Sequence, residues 1–286
     1  MTDLNHFVPR HPSAVCVDSD GCAMDTMNIK HFRCFGPCMI TEWGLEEWRE
    51  ELLDRWNVIN LFSATRGINR FKGLAKELAE IDRTYKSIEG IEKLREWADE
   101  APELSNDALA AYCEAEEAAG RNCPEILKKA LNWSREVNAA IRRLPEEEIH
   151  DFPGVREALA MAHEASDVAV VSSANRDAVL AEWTRFGLLP HVDLVCAQDT
   201  GSKAYCVKQL RQKGYARDRL LLCGDAPGDL QAAISGDSLF YPILVGMEAE
   251  SWAEFRREAL PRFYAGTFDG AYQEELIRRF KENLQR

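Results

Sequence analysis

Apolar positions along the chain fall into two patterns. Compact runs at 13–18, 168–172, 192–197, 220–224 and 239–245 are rich in Val, Leu and Ile. Short runs of this kind, bounded by turn-forming residues, read as buried strands. Around the last four lie segments at 154–165, 175–186, 202–214 and 227–236, whose apolar residues recur at helical spacing. Strands alternating with helices of this length predict parallel βαβ units, hence an α/β fold built on a Rossmann-like parallel sheet. The stretch between the first and second strands, 28–147, has no convincing strand. Leu45, Trp48, Leu52 and Trp56 share a helical face, as do Ile88, Ile91, Leu94 and Trp97. Ile126, Ala130, Val137, Ile141 and Leu144 continue the pattern after Pro124, which suits a first helical turn. The segment therefore reads as four to six amphipathic helices forming an all-helical inserted domain. It divides the core into 1–27 and 148–286, whose tail is helical again, with Leu276, Phe280 and Leu284 on one face.

The chemistry lies at the ends of the runs. Ala14-Val15-Cys16-Val17 delivers Asp18-Ser19-Asp20-Gly21, two carboxylates at i and i+2 entering a glycine turn. Side chains alternate along a strand, so Asp18 and Asp20 leave on the same side, where open α/β sheets place their ligand crevice. Two crowded carboxylates repel unless a cation or a shared proton relieves them. Val168-Ala169-Val170-Val171 ends in Ser172-Ser173-Ala174-Asn175. Lys203 opens a helical pattern after Asp199-Thr200-Gly201-Ser202, and Leu220-Leu221-Leu222-Cys223 ends in Gly224-Asp225-Ala226-Pro227-Gly228-Asp229.

Carboxylate pair, hydroxyl, lysine and carboxylate pair, in that order and each at a strand end or helix start, resemble the four motifs of the haloacid dehalogenase (HAD) superfamily. Phe152-Pro153-Gly154-Val155-Arg156-Glu157 is similar to the segment preceding the second motif in its phosphoglycolate phosphatase and β-phosphoglucomutase branch. The resemblance covers roughly 13–26 and 150–246, and it makes the insert a helical cap, larger than the commonest ones. It implies a phosphatase in which Asp18 is a nucleophile forming an aspartyl-phosphate. It also implies Mg²⁺, held by the Asp18 carboxylate, the Asp20 backbone carbonyl and the Asp225 carboxylate. Asp229 would bind through water, hold Lys203, or simply cap its helix. Mg²⁺ suits such hard oxygen ligands. Asp20 is the expected general acid and base, and its presence disfavours C–halogen and C–P cleavage. Ser172 would donate to the phosphoryl oxygens, with Ser173 the adjacent alternative, and Lys203 would balance charge.

In the cap, Thr65-Arg66-Gly67-Ile68-Asn69-Arg70-Phe71-Lys72-Gly73 sets three cations between two glycines. Arginine recognises carboxylate and phosphate oxygens bidentately, so Arg66 and Arg70 are candidate substrate contacts, against the reading of a solvated basic turn. His31 is one residue out of phase with a histidine of the β-phosphoglucomutase-like motif and reads as a packing or hinge residue. Cys34 and Cys38 lack a second pair for a zinc site.

Composition sets outer limits. No apolar run approaches the roughly 18 residues of a membrane span, and Met1 to Pro12 lacks a signal-peptide core. Nine scattered cysteines suggest reduced thiols and a cytoplasmic protein. A net charge of −13 argues against nucleic acid or an anionic membrane as main partner. The expected function is a Mg²⁺-dependent phosphomonoester hydrolase acting on a small phosphorylated metabolite. Its alternatives are a phosphomutase and a non-catalytic phosphate-binding regulator. Substrate identity and oligomeric state are not encoded legibly.

Overall fold

A computed structural model describes residues 3–285. Five parallel strands form one sheet: β1 Ala14–Val17, β2 Asp167–Val171, β3 Leu194–Cys196, β4 Leu220–Gly224 and β5 Leu239–Pro242, in the order β3-β2-β1-β4-β5. The α/β sheet is thus the one the alternating pattern predicts. β1 is central. Its register sets Val17 against Val170 of β2 and Cys223 of β4, so these neighbours end almost level with it. Because β2 and β3 extend one way and β4 and β5 the other, the carboxyl end of β1 lies at the point where strand order reverses.

Both faces of the sheet are buried, as expected when crossover helices cover a parallel sheet. Val15, Val17, Val168, Val170 and Leu221 pack on one face with Trp183, Trp252, Phe255 and Phe263. Their alternates Ala14, Cys16, Ala169, Val171 and Leu222 pack on the other with Val207, Leu210 and Phe280. β5 ends before the seven-residue run does. Pro242 cannot donate a ladder hydrogen bond, and the strand stops there.

The chain divides into two compact units, one comprising the chain up to Met27 and from Ile149 onward, the other Asn28–Glu148. The second unit, among its described elements, carries six helices of eight residues or more: Gly36–Trp43, Arg49–Leu61, Arg70–Thr84, Ile91–Glu100, Asn106–Ala118 and Glu125–Ile141. Trp56, Phe71, Trp97 and Trp133 form its aromatic centre, Phe71 meeting Trp97 edge to face at 5.1 Å and Trp56 meeting Trp133 at 5.9 Å. The stripe from Leu45 to Trp56 is not one helix. Gly44 closes Gly36–Trp43 in the left-handed conformation (φ 60°), and a single tight turn, Glu46–Trp48, precedes the next helix. Pro124 stands just before its helix rather than in the first turn.

The reading of nine reduced thiols needs correction. Cys113 and Cys123 are disulfide-bonded, with Cα atoms 5.0 Å apart. The end of Asn106–Ala118 and the turn after it bring the two cysteines together, a proximity that cysteine count alone does not reveal. The other seven cysteines are free. No helix among the described residues is long and apolar enough to cross a membrane.

Candidate active site

The turn following β1 is tied down from several sides. The Asp18 amide donates to Cys223 of β4 at 3.0 Å. The Ser19 carbonyl accepts from Cys22, Ala23 and Met24 at 3.3, 3.0 and 2.9 Å, folding the chain back on itself. Gly21 sits at φ 82°, where a side chain would be strained, which accounts for the glycine directly after Asp20. Asp18 is buried and its Oδ1 accepts from the Ser19 amide at 2.7 Å. The Asp20 carboxylate takes a hydrogen bond from the buried Thr26 hydroxyl, six residues along.

Lys203 enters from the helix Lys203–Gln212, whose start is set by Ser202 accepting from the Tyr205 amide at 3.2 Å. Its Nζ lies 2.7 Å from Asp18 Oδ2 and 2.6 Å from Asp229 Oδ1. Asp229 has a double duty. Its Oδ2 accepts from the Asp225 and Ala226 amides at 3.2 and 3.0 Å, capping the helix Pro227–Gly236, while Oδ1 holds the lysine. A Cβ at Gly224 would collide with the Asp229 side chain, so only glycine fits where β4 turns into that helix. The capping and lysine-holding readings of Asp229 thus describe the same geometry.

One oxygen each from Asp18, Asp225 and Asp229 lies within 4.8 Å of the other two, and all three residues are buried. Burial lifts the Asp18 carboxyl well above the usual carboxylate range; Lys203 opposes the shift, and Asp229 and Asp225 add to it. Burial works against the charge on Lys203, but Asp18 and Asp229 outweigh it and raise its pKa. Three carboxylates around one ammonium leave surplus negative charge in a buried place. A proton shared by the cluster or a divalent cation relieves it. The donor set, carboxylate oxygens alone, fits Mg²⁺ rather than a thiolate-seeking metal. Asp18 and Asp229 each have both oxygens engaged, by Lys203 and by backbone amides, so a cation in the cluster would share those oxygens with them.

Ser172 directly follows β2, is buried, and its Oγ accepts from the Ala174 amide at 3.1 Å. Ser173 is exposed. Cys22 is buried, and its thiol pKa is raised by burial and by Asp225 and Asp18, which makes it a packing residue. In the other unit, Arg66 is buried with Nη1 donating to the Leu61 carbonyl at 2.8 Å. Arg70 donates to Ser134 Oγ at 3.0 Å and Asn138 Oδ1 at 2.7 Å, with its guanidinium 4.9 Å from the Phe35 ring centre. Among the described residues no carboxylate pairs with Arg70, and burial lowers its pKa to about 10. His31 stacks on Phe35 at 4.6 Å and accepts from Trp56 Nε1 at 2.9 Å, the packing role expected of it.

Sequence reasoning missed three supports. Thr26 was visible beside Asp25 but nothing marked its hydroxyl. Trp183 Nε1 donates to Ser19 Oγ at 2.9 Å and Trp252 Nε1 to the Cys22 carbonyl at 3.0 Å. Those contacts span 164 and 230 residues, beyond any local signal.

A family model described as "Haloacid dehalogenase-like hydrolase" matches residues 71–236, more than half of the chain. The chain belongs to that family. Asp18 and Asp20 lie before the matched span. Among solved structures, it is similar to a predicted phosphoglycolate phosphatase from Haemophilus somnus (13% identity, 80% of this chain and 84% of that one, TM-score 0.47). It is also similar to a protein provisionally assigned as a β-phosphoglucomutase from Thermotoga maritima (16%, 94% and 99%, TM-score 0.46). A haloacid dehalogenase-like hydrolase from Streptococcus pneumoniae is a third (12%, 86% and 91%, TM-score 0.45). These likenesses, each below a TM-score of 0.5, stand beside the family match without adding to it. No curated protein sequence matches the chain.

Proposed function

We propose that this hydrolase is a Mg²⁺-dependent phosphomonoesterase that acts on a small phosphorylated metabolite through an aspartyl-phosphate on Asp18. One observation carries the reading. A buried carboxylate at the carboxyl end of the central strand is ion-paired to a partly buried lysine and lies beside two further carboxylates. Phosphoryl transfer needs an in-line nucleophile and neutralisation of the charge on the equatorial oxygens. Asp18 is the nucleophile, held in orientation by the Ser19 amide and Lys203. Lys203 also offers positive charge to the transferring group. Mg²⁺, held by Asp18, Asp225 and the Asp20 carbonyl, would neutralise phosphate charge and let the two anions approach.

Asp20, oriented by Thr26, protonates the leaving alkoxide and then takes a proton from the water that releases phosphate. Ser172 donates to the phosphoryl oxygens, with Ser173 the lesser candidate because its side chain faces solvent. We assign leaving-group contacts to Arg66 and Arg70, the latter supported by a charge that meets no carboxylate among the described residues. The test is inorganic phosphate release across sugar phosphates, phosphoglycolate, nucleotides and an aryl phosphate. Release that depends on Mg²⁺ is expected. No release from any of them, with or without Mg²⁺, contradicts the assignment.

A further inference from the structure

We infer that Trp183 and Trp252 are positioning residues that clamp the turn bearing Asp18 and Asp20, so that the two helices carrying them are part of the catalytic support. The inference rests on the phosphomonoesterase reading of that turn. Both indoles are fully buried, and each gives its one N–H to the turn from a different helix. Trp183, on Arg176–Arg185, donates to the Ser19 hydroxyl, on the residue between the two aspartates. Trp252, on Glu248–Glu254, donates to the Cys22 carbonyl, and the Cys22 amide returns to the Ser19 carbonyl. The two bonds therefore hold the start and the close of one loop.

The helix carrying Trp252 is itself anchored. Ser251 Oγ accepts from the Leu244 amide at 3.1 Å, and the Ser251 carbonyl accepts from the Tyr241 hydroxyl at 2.6 Å. This ties Trp252 to the end of β5 and so, through the sheet, to the strand that carries Asp18. Trp252 also lies beyond the span matched by the family model, in the tail that the motifs left without a role. A buried N–H left unpaired is costly, so each indole favours the turn conformation that offers it an acceptor. Ångström-scale misplacement of a nucleophile is enough to slow a reaction by orders of magnitude.

The test compares Trp252→Phe, Trp183→Phe, Ser19→Ala and the Trp183→Phe/Ser19→Ala double variant, using the best substrate from the phosphate-release panel. Each single change should lower kcat roughly tenfold with KM within about twofold. The double variant should be no slower than either single one, because both remove the same bond. Amide hydrogen exchange across 19–24 should quicken in Trp252→Phe while the β-strands stay protected. Folded tryptophan variants with kcat within twofold of the parent overturn the clamp, as do additive effects of Trp183→Phe and Ser19→Ala. If a tryptophan variant fails to fold, Ser19→Ala decides alone, and kcat within twofold overturns the proposal. Turnover that survives Asp18→Asn strikes instead at the assigned function.

Discussion

Glu77 offers a prediction that depends on the fold alone. It lies mid-helix in Arg70–Thr84, fully buried, and neither carboxylate oxygen has a hydrogen-bond partner among the described residues. Burial, reinforced by Glu80 and opposed by Arg55, holds its carboxyl well above the ordinary value of 4.5. The folded protein thus keeps a proton that the unfolded chain loses once pH exceeds that value. Stability contributed by the protonated group is intact below about pH 4.5 and declines as pH climbs toward the raised folded-state pKa. The limiting slope is about 1.4 kcal/mol per pH unit, or at most about 4 kcal/mol between pH 5 and pH 8.

Glu77→Gln keeps the shape and removes the titration. Urea unfolding of parent and variant, followed by tryptophan fluorescence at pH 5, 6.5 and 8, isolates the term as a difference. The variant should gain on the parent as pH rises across that range, by no more than about 4 kcal/mol. A difference that stays flat within about 0.5 kcal/mol would mean that Glu77 is not held protonated in the folded state, despite its burial.

Other expectations follow from the site and the disulfide. Lys203→Gln takes an ammonium from two buried carboxylates and should destabilise the metal-free protein by about 3–5 kcal/mol, read by denaturant titration, while abolishing turnover. Thr26→Val removes the hydroxyl that orients Asp20 and should lower kcat about tenfold with little change in melting temperature; an unchanged kcat would separate Thr26 from the chemistry. Thiol titration of denatured protein should find seven free cysteines before reduction and nine after it.

Strand ends were the legible part of this chain. Asp18, Asp20, Asp225 and Lys203 stood out because the apolar runs before them and the helical pattern after Lys203 are local features, and parallel topology brings their ends together. Ser172 could be preferred to Ser173 because side chains alternate along β2, and the structure buries the first and exposes the second. Asp229 was ambiguous because capping a helix and holding a lysine use different oxygens of one carboxylate, and sequence has no means of choosing between compatible roles. Thr26, Trp183 and Trp252 were not legible, since their donors reach the turn through folding rather than neighbouring position. The same holds for Glu77: a charged residue inside an amphipathic helix reads as solvated until the packing of the helix shows otherwise. Cys113 and Cys123 meet only because a helix ends between them.

The most direct test of the central claim is phosphate release by the parent and Asp18→Asn, each with Mg²⁺ and with EDTA. The expected result is release by the parent with Mg²⁺, none with EDTA, and none by a folded Asp18→Asn under either condition. Release by Asp18→Asn at a rate near that of the parent would contradict a nucleophile at the end of β1, and with it the mechanism proposed for this site.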